Sequence, residues 1–307
     1  MTNQTDRQTT IGIACGLGAA LIWGAWPVVT SIGIQGSITP VQIVMLRFFI
    51  AGLILAPFAF RGPSSLQDWG KALVFSLCAG APYAILVSSA FYFAPASHGG
   101  VVIPGTVLFI SVLAAHFWLG DRLTRTRIMG AGLIILGLIG LAFGAAGGIE
   151  TLGGDLMFVG GGIMWASYTF LLRRWPADGL LIASRVAVLS LLMFGLLSLF
   201  GVGAGLSEVP LETIVFQGLW QGVLSGIVAI ILFNKAVGIL GSGKASIVNA
   251  MTPAIAVLLS FLVLGEIPTL IEFTGLATIM VGIAVALGLR PKLKRAPKTY
   301  ATLPEKV

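Results

Sequence analysis

HFWLGDRLTRTRIMGAGLII at 116–135 returns, altered, as FLVLGEIPTLIEFTGLATIM at 261–280. A shift of 145 residues lays Gly120 on Gly265, Asp121 on Glu266, Thr124 on Thr269 and Gly130 on Gly275. The basic residues do not follow. Arg122, Arg125 and Arg127 become Ile267, Leu270 and Glu272. A repeat that keeps its turn and loses its positive charge needs a physical cause, and the sequence around both segments supplies one.

That surrounding sequence is apolar. Of 307 residues, 57% are hydrophobic and 9% charged, against roughly 25% charged in soluble domains. The mean hydropathy of +1.02 places the chain in the membrane class. A spanning helix needs about 20 mostly apolar residues. Ten runs qualify: 11–33, 40–60, 70–93, 99–119, 127–146, 154–172, 179–202, 212–234, 243–264 and 270–289. The first run is too long for a signal-peptide core and is expected to be retained as a helix.

Numbering the gaps alternately sorts the charges. One side collects residues 1–10, 61–71, 120–127, 173–178, 235–244 and the tail, with 16 of the 18 basic residues. The other side has no Lys or Arg but carries Glu150, Asp155, Glu208, Glu212, Glu266 and Glu272. By the positive-inside rule the basic side is cytoplasmic, with both termini. The net charge of +7 thus reflects loops beside a bilayer rather than a nucleic-acid-binding stripe. Five helices per half is an odd number, so the second copy crosses in the opposite sense. Its turn emerges where Lys and Arg are disfavoured, and the charge is gone. The expected organisation is a cytoplasmic N-terminus (1–10), a first five-helix repeat (11–146), a second, inverted five-helix repeat (147–290) and a basic cytoplasmic tail (291–307).

Other parts of the repeat follow. Arg47 in MLRFFIAGLIL matches Arg185 in ASRVAVLSLLM; Trp23 and Trp26 match Trp165 and Tyr168; SHGGVVIPG at 97–105 matches SGKASIVNA at 242–250. Inverted repeats mark many secondary transporters, with the solute site near midplane between the halves.

The motifs then resemble a family. The WG of the first helix (Trp23, Gly24), the LRF of the second (Leu46, Arg47, Phe48) and the LGE ending the ninth (Leu264, Gly265, Glu266) are similar to the EamA branch of the drug/metabolite transporter superfamily. The first-half copy departs as LGD (Leu119, Gly120, Asp121). The resemblance covers about residues 10–290. Within the branch the chain resembles the YddG-type amino-acid exporters, some of which handle aromatic amino acids. The resemblance implies an all-α integral membrane protein that exports small organic solutes without ATP, with no cofactor, across the plasma membrane, a bacterial inner membrane.

Several residues are candidates for the work. Trp23, Trp26, Trp165 and Tyr168 fall near mid-depth rather than at the interfaces where Trp usually anchors. They are expected to wall a cavity, with Tyr83 beside them and Ser246 and Asn249 as polar contacts. Pro27, Pro82, Pro104 and Pro253 are expected inside helices, each removing a backbone donor. The helix starts at Ser97, His98 and Gly99, and at Ser242 and Gly243, present free N–H groups and a positive dipole end. With Pro104 and Pro253 they are the expected gates, able to hold a carboxylate. Packing and ordinary helix-start chemistry are the bland readings of these same residues. Arg47 and Arg185, the two intramembrane charges, are assigned a structural role because both recur in symmetric places, with substrate binding as the alternative.

The chain has no mid-helix Asp or Glu, no P-loop, no HExxH and no Ser–His–Asp grouping at one depth. An enzyme is therefore not expected. Cys15 and Cys78 sit in apolar runs, with no metal-ligand spacing and no expected disulfide. A nucleotide-sugar or sugar-phosphate exchanger and a channel are the alternatives. The expected partners are a small-molecule solute and lipid, with no nucleic acid, and the two halves make a monomer self-sufficient.

Overall fold

The computed structural model describes residues 2–62, 64–119, 124–144, 149–175 and 178–288. Gly120, Asp121, Arg122 and the 291–307 tail lie outside these, as do the side chains of Ser242, Gly243 and Ser246. Among the described residues every regular element is helical and none is a strand. The α-helices are α1 (Thr2–Gln35), α2 (Pro40–Ala59), α3 (Leu66–Ala79), α4 (Ala81–Ala90), α5 (Ala96–Leu119), α6 (Arg125–Gly144) and α7 (Ile149–Arg174). They continue as α8 (Gly179–Ser198), α9 (Leu211–Gly218), α10 (Ala229–Leu240), α11 (Ser242–Asn249), α12 (Thr252–Leu264) and α13 (Leu270–Ala286). A π-helix, Leu219–Val228, joins α9 to α10. Seven segments are long and apolar enough to cross a membrane among the described residues.

Local chemistry sets many of the ends. Thr39 and Gln42 form a capping box with Pro40 in the first turn of α2. Ser65 with Asp68 and Thr269 with Glu272 do the same for α3 and α13. Gly265, at φ 67°, closes α12 in the left-handed region. The polar N-terminus continues α1 rather than standing apart from it.

The third helix of each half is irregular. The run expected at 70–93 is two helices, α3 and α4, separated at Gly80 (ψ −145°). Pro82 therefore sits in the first turn of α4, where its missing N–H is harmless. The Ala81 N–H donates to the Ser190 hydroxyl of α8 at 3.1 Å. A Cβ on Gly80 would come within 2.5 Å of Ser76 O and Ser190 Oγ, so only glycine fits. In the second half the α9–α10 span carries the π-helix at the matching depth. Pro253 likewise opens α12 after a break at 250–251 instead of kinking a continuous helix. Pro27 and Pro104 do lie inside α1 and α5.

The main packing pairs have counterparts in the two halves. α6 packs on α13 and α2 on α8; α1 lies against α10, α11 and α12, while α7 lies against α3, α4 and α5. Between α6 and α13 the backbones almost touch. A Cβ on Gly130 would sit 2.6 Å from Gly282 O, and one on Gly137 2.7 Å from Gly275 O. Small residues permit such approach in lipid. Because 130 faces 282 and 137 faces 275, the two helices run in opposite directions.

Candidate functional site

A half-open cavity of about 70 Å³ lies where the halves meet. Its walls come from α2, α3, α7, α8, the π-helix and α10. Arg47 and Phe48 of α2, Trp165 and Tyr168 of α7, Ala187 of α8 and Gly226 of the π-helix all line it. Leu55, Tyr168 and Ala183 of the lining lie within about two turns of the helix ends at Ala59, Arg174 and Gly179. From the level of Arg47 the cavity therefore extends toward the basic loops.

The aromatic wall is a chain of ring contacts. Tyr83 meets Trp165 at 5.2 Å between centroids, Trp165 meets Tyr168 at 5.4 Å, and Tyr168 meets Phe75 edge-on at 5.5 Å. Such pairs hold their rings in fixed orientation. The structure thus brings together three of the expected aromatic residues.

Trp23 and Trp26 are placed elsewhere. The Trp23 indole N–H donates to Ser225 O at 3.4 Å and its ring lies 5.5 Å from Phe233. The Trp26 indole donates to Gln221 Oε1 at 2.7 Å. Gln221 in turn donates to Thr30 Oγ1 and Gln217 Oε1, and Gln217 donates to Val29 O at 2.7 Å. These two glutamines, each 1% exposed, tie α1 to the π-helix span. Sequence reading passed over them, although two amides four residues apart in an apolar run are a signal: buried polar groups seek partners. Asn249 accepts a hydrogen bond from Thr252 across the α11–α12 break rather than facing the cavity lining.

The two arginines also part company. Arg185 is 3% exposed; its Nε donates to Ala59 O, the last residue of α2, at 3.0 Å, and its guanidinium lies 5.1 Å from the Trp69 ring. Arg47 faces the cavity. Its guanidinium rests 5.8 Å from the Phe48 centroid. Among the described residues no ion pair of Arg47 is found.

At the other, acidic end the start of α5 is closed. The free N–H groups of Ala96 and Ser97 donate to Glu266 Oε1 and Oε2 at 2.8 and 3.0 Å. The carboxylate held by this helix start is thus the chain's own, from the LGE motif. His98, 1% exposed, has Nδ1 at 2.9 Å from Asp155 Oδ1 and Nε2 at 3.9 Å from Glu272 Oε1. Gly99 packs beneath, where a Cβ would meet Phe91 and Phe158 at 2.8–2.9 Å. Four elements are bound by this cluster: α5, α7, the turn after α12 and the first turn of α13.

Comparison with known proteins agrees with the geometry. The model of the EamA-like transporter family matches twice, at residues 10–143 and 152–288. The uncharacterized transporter YyaM of Bacillus subtilis (strain 168) is 25% identical over 202 residues, covering 62% of this chain and 64% of that protein. The chain thus spans about two thirds of YyaM's length. An uncharacterized transporter of Clostridium kluyveri is 26% identical over 296 residues, covering 87% of this chain and 90% of its own. A solved structure described only as the crystal structure of a protein superposes with a TM-score of 0.61 at 21% identity, over 93% of this chain and 98% of that one, which shows a shared fold. Two family matches end to end, over helices that pair half against half around one cavity, make this chain a member of the EamA-like transporter family, a membrane transporter.

Proposed function

We propose that the chain crosses the membrane ten times as two inverted halves, with both termini cytoplasmic, and exports small amphipathic metabolites by alternating access without ATP. Amino acids with aromatic or apolar side chains are the first class of cargo, as in the YddG-type exporters, across a bacterial plasma membrane. The observation that carries this reading is the cavity between the halves, lined by aromatic rings and by the Arg47 guanidinium, with the acidic end of the bundle tied together by the Glu266 and His98 contacts. The opposed directions of α6 and α13, which the repeat pairs, support inversion. With the acidic loops outside, this is a conformer closed to the exterior.

A nucleotide-sugar or sugar-phosphate exchanger fits less well, because a polyanion calls for several cavity cations. Arg47 lines the cavity, while Arg185 is bound to Ala59. A plain channel has no use for the closure at α5.

The test is efflux of radiolabelled phenylalanine, leucine and glutamate from liposomes holding the full chain, with Trp165→Ala in parallel. Efflux of phenylalanine and leucine over glutamate is expected, with Trp165→Ala losing about tenfold or more through lost stacking of about 0.5–1.5 kcal/mol and lost apolar contact. Absence of efflux of all three, or kinetics unchanged in Trp165→Ala at equal expression, would reject the cavity as the transport site.

A further inference from the structure

We infer that Arg47 is the anchor for the carboxylate of the transported solute, and that the site selects an apolar monocarboxylate whether or not it carries an amino group. This deepens the reading of the cavity as the solute site and rests on it.

Arg47 stands about 10 Å into α2, counted from Pro40 at 1.5 Å per residue. A guanidinium at that depth is expensive unless it is paired or faces a water-filled or ligand-filled space. Arg185 shows how this fold settles such a charge: full burial, a carbonyl at a helix end, and an indole face. Arg47, its counterpart in the repeat, is less deeply buried and lines the cavity, with the Phe48 ring 5.8 Å from its guanidinium. Its forked N–H donors suit a carboxylate, which they can hold through two parallel bonds.

The rest of the lining tells what the carboxylate is attached to. Phe48, Trp165 and Tyr168 offer faces and edges, and the remaining described wall is aliphatic. No Asp or Glu stands on it. An ammonium group would find ring faces but no anion, so it contributes little to binding and is not required. The recognised unit is a compact anion on an apolar or aromatic body. The cavity has room for several waters as it stands, so the solute enters with some widening between α7 and α2.

Three tritiated probes that share one benzyl body separate the contributions: L-phenylalanine, 3-phenylpropanoate (no ammonium) and 2-phenylethylamine (no carboxylate). Their binding to the purified full chain in detergent is measured by scintillation proximity at pH 7.4. The wild-type chain is expected to bind 3-phenylpropanoate within about threefold of phenylalanine and the amine at least about tenfold more weakly, the range for loss of one charged hydrogen-bonded contact. Arg47→Lys is expected to keep the order of the three and Arg47→Gln to erase it. Amine binding as tight as carboxylate binding in the wild type overturns the anchor even if no variant folds, and so does an unchanged order in a folded Arg47→Gln. Both results leave the aromatic cavity standing. Absence of binding by all three overturns the cavity reading and the anchor together.

Discussion

In the proposed alternating-access cycle Glu266 holds the acidic end shut through its two backbone hydrogen bonds, and its replacement by Gln is the sharpest test of that closure. Each bond from a backbone N–H to a carboxylate contributes about 1.5–3 kcal/mol, and the helix start adds about 0.3–1 kcal/mol for a negative charge. Glutamine keeps one acceptor oxygen and loses the charge and the second acceptor. The closed state is therefore destabilised by about 2 kcal/mol relative to one in which residue 266 is hydrated, or about thirtyfold in the opening equilibrium. The readout is Ser97→Cys, at a position 3% exposed in the closed bundle. The free cysteines Cys15 and Cys78 are first replaced by Ser so that they do not react. Labelling of Cys at 97 by a membrane-impermeant maleimide is then followed in proteoliposomes with and without Glu266→Gln. Where opening precedes labelling, the rate is expected to rise by about ten- to thirtyfold. A change of less than about twofold, from protein that still elutes as a single species, would refute the claim that Glu266 closes this end.

Two further substitutions test the frame around the cavity. Gly137→Leu places a branched side chain where even a Cβ would lie 2.7 Å from Gly275 O, so the α6–α13 seam must part; the loss is expected to exceed about 3 kcal/mol and to appear as a failure to purify as a single species, while Gly132→Leu, at an open position, should purify normally. Gln221→Leu strips the partner from the Trp26 indole and from Gln217, and should lower stability by about 1 kcal/mol, a fall of a few degrees in Tm, with phenylalanine binding unchanged.

Much of this architecture was legible because the bilayer constrains it. Each of the ten apolar runs overlaps one helix or two or three consecutive ones, and the repeat at Gly130 and Gly275 points straight at the α6–α13 seam. Caps at Thr39, Ser65 and Thr269 are local chemistry and can be read locally. The breaks are a different matter. Helices apolar all round carry no face signal, so nothing in the periodicity marked Gly80 as a break or Leu219–Val228 as a π-helix. Pro82 and Pro253 were visible, but whether a proline kinks a helix or starts one depends on neighbours remote in sequence. For the site, Tyr83, Trp165 and Tyr168 were readable as a group, whereas Trp23 and Trp26 have the same spacing and a different fate. Their indoles are held by Ser225 and Gln221, about 200 residues away in sequence. The same distance hid Glu266 as the cap of α5.

The two arginines carry the argument one step further. A shift of 138 residues maps Arg47 on Arg185 and Ala59 on Leu197. In the conformer closed at the acidic end, Arg185 is bound to the end of α2 at Ala59 while the corresponding end of α8, near Leu197, is not held by Arg47. If transport exchanges the conformations of two inverted halves, the opposite conformer has the mirror arrangement: Arg47 binds the end of α8 and Arg185 turns to the cavity. Each arginine then stabilises one conformer, and its removal favours the other. Arg185→Gln weakens the conformer described here and should speed maleimide labelling of Cys at 97 by about tenfold, the worth of one charge-assisted hydrogen bond. Arg47→Gln weakens the opposite conformer and should slow it. The two signs must differ. Two substitutions that both speed labelling would mean simple loosening of the bundle, and the exchange of roles would be wrong.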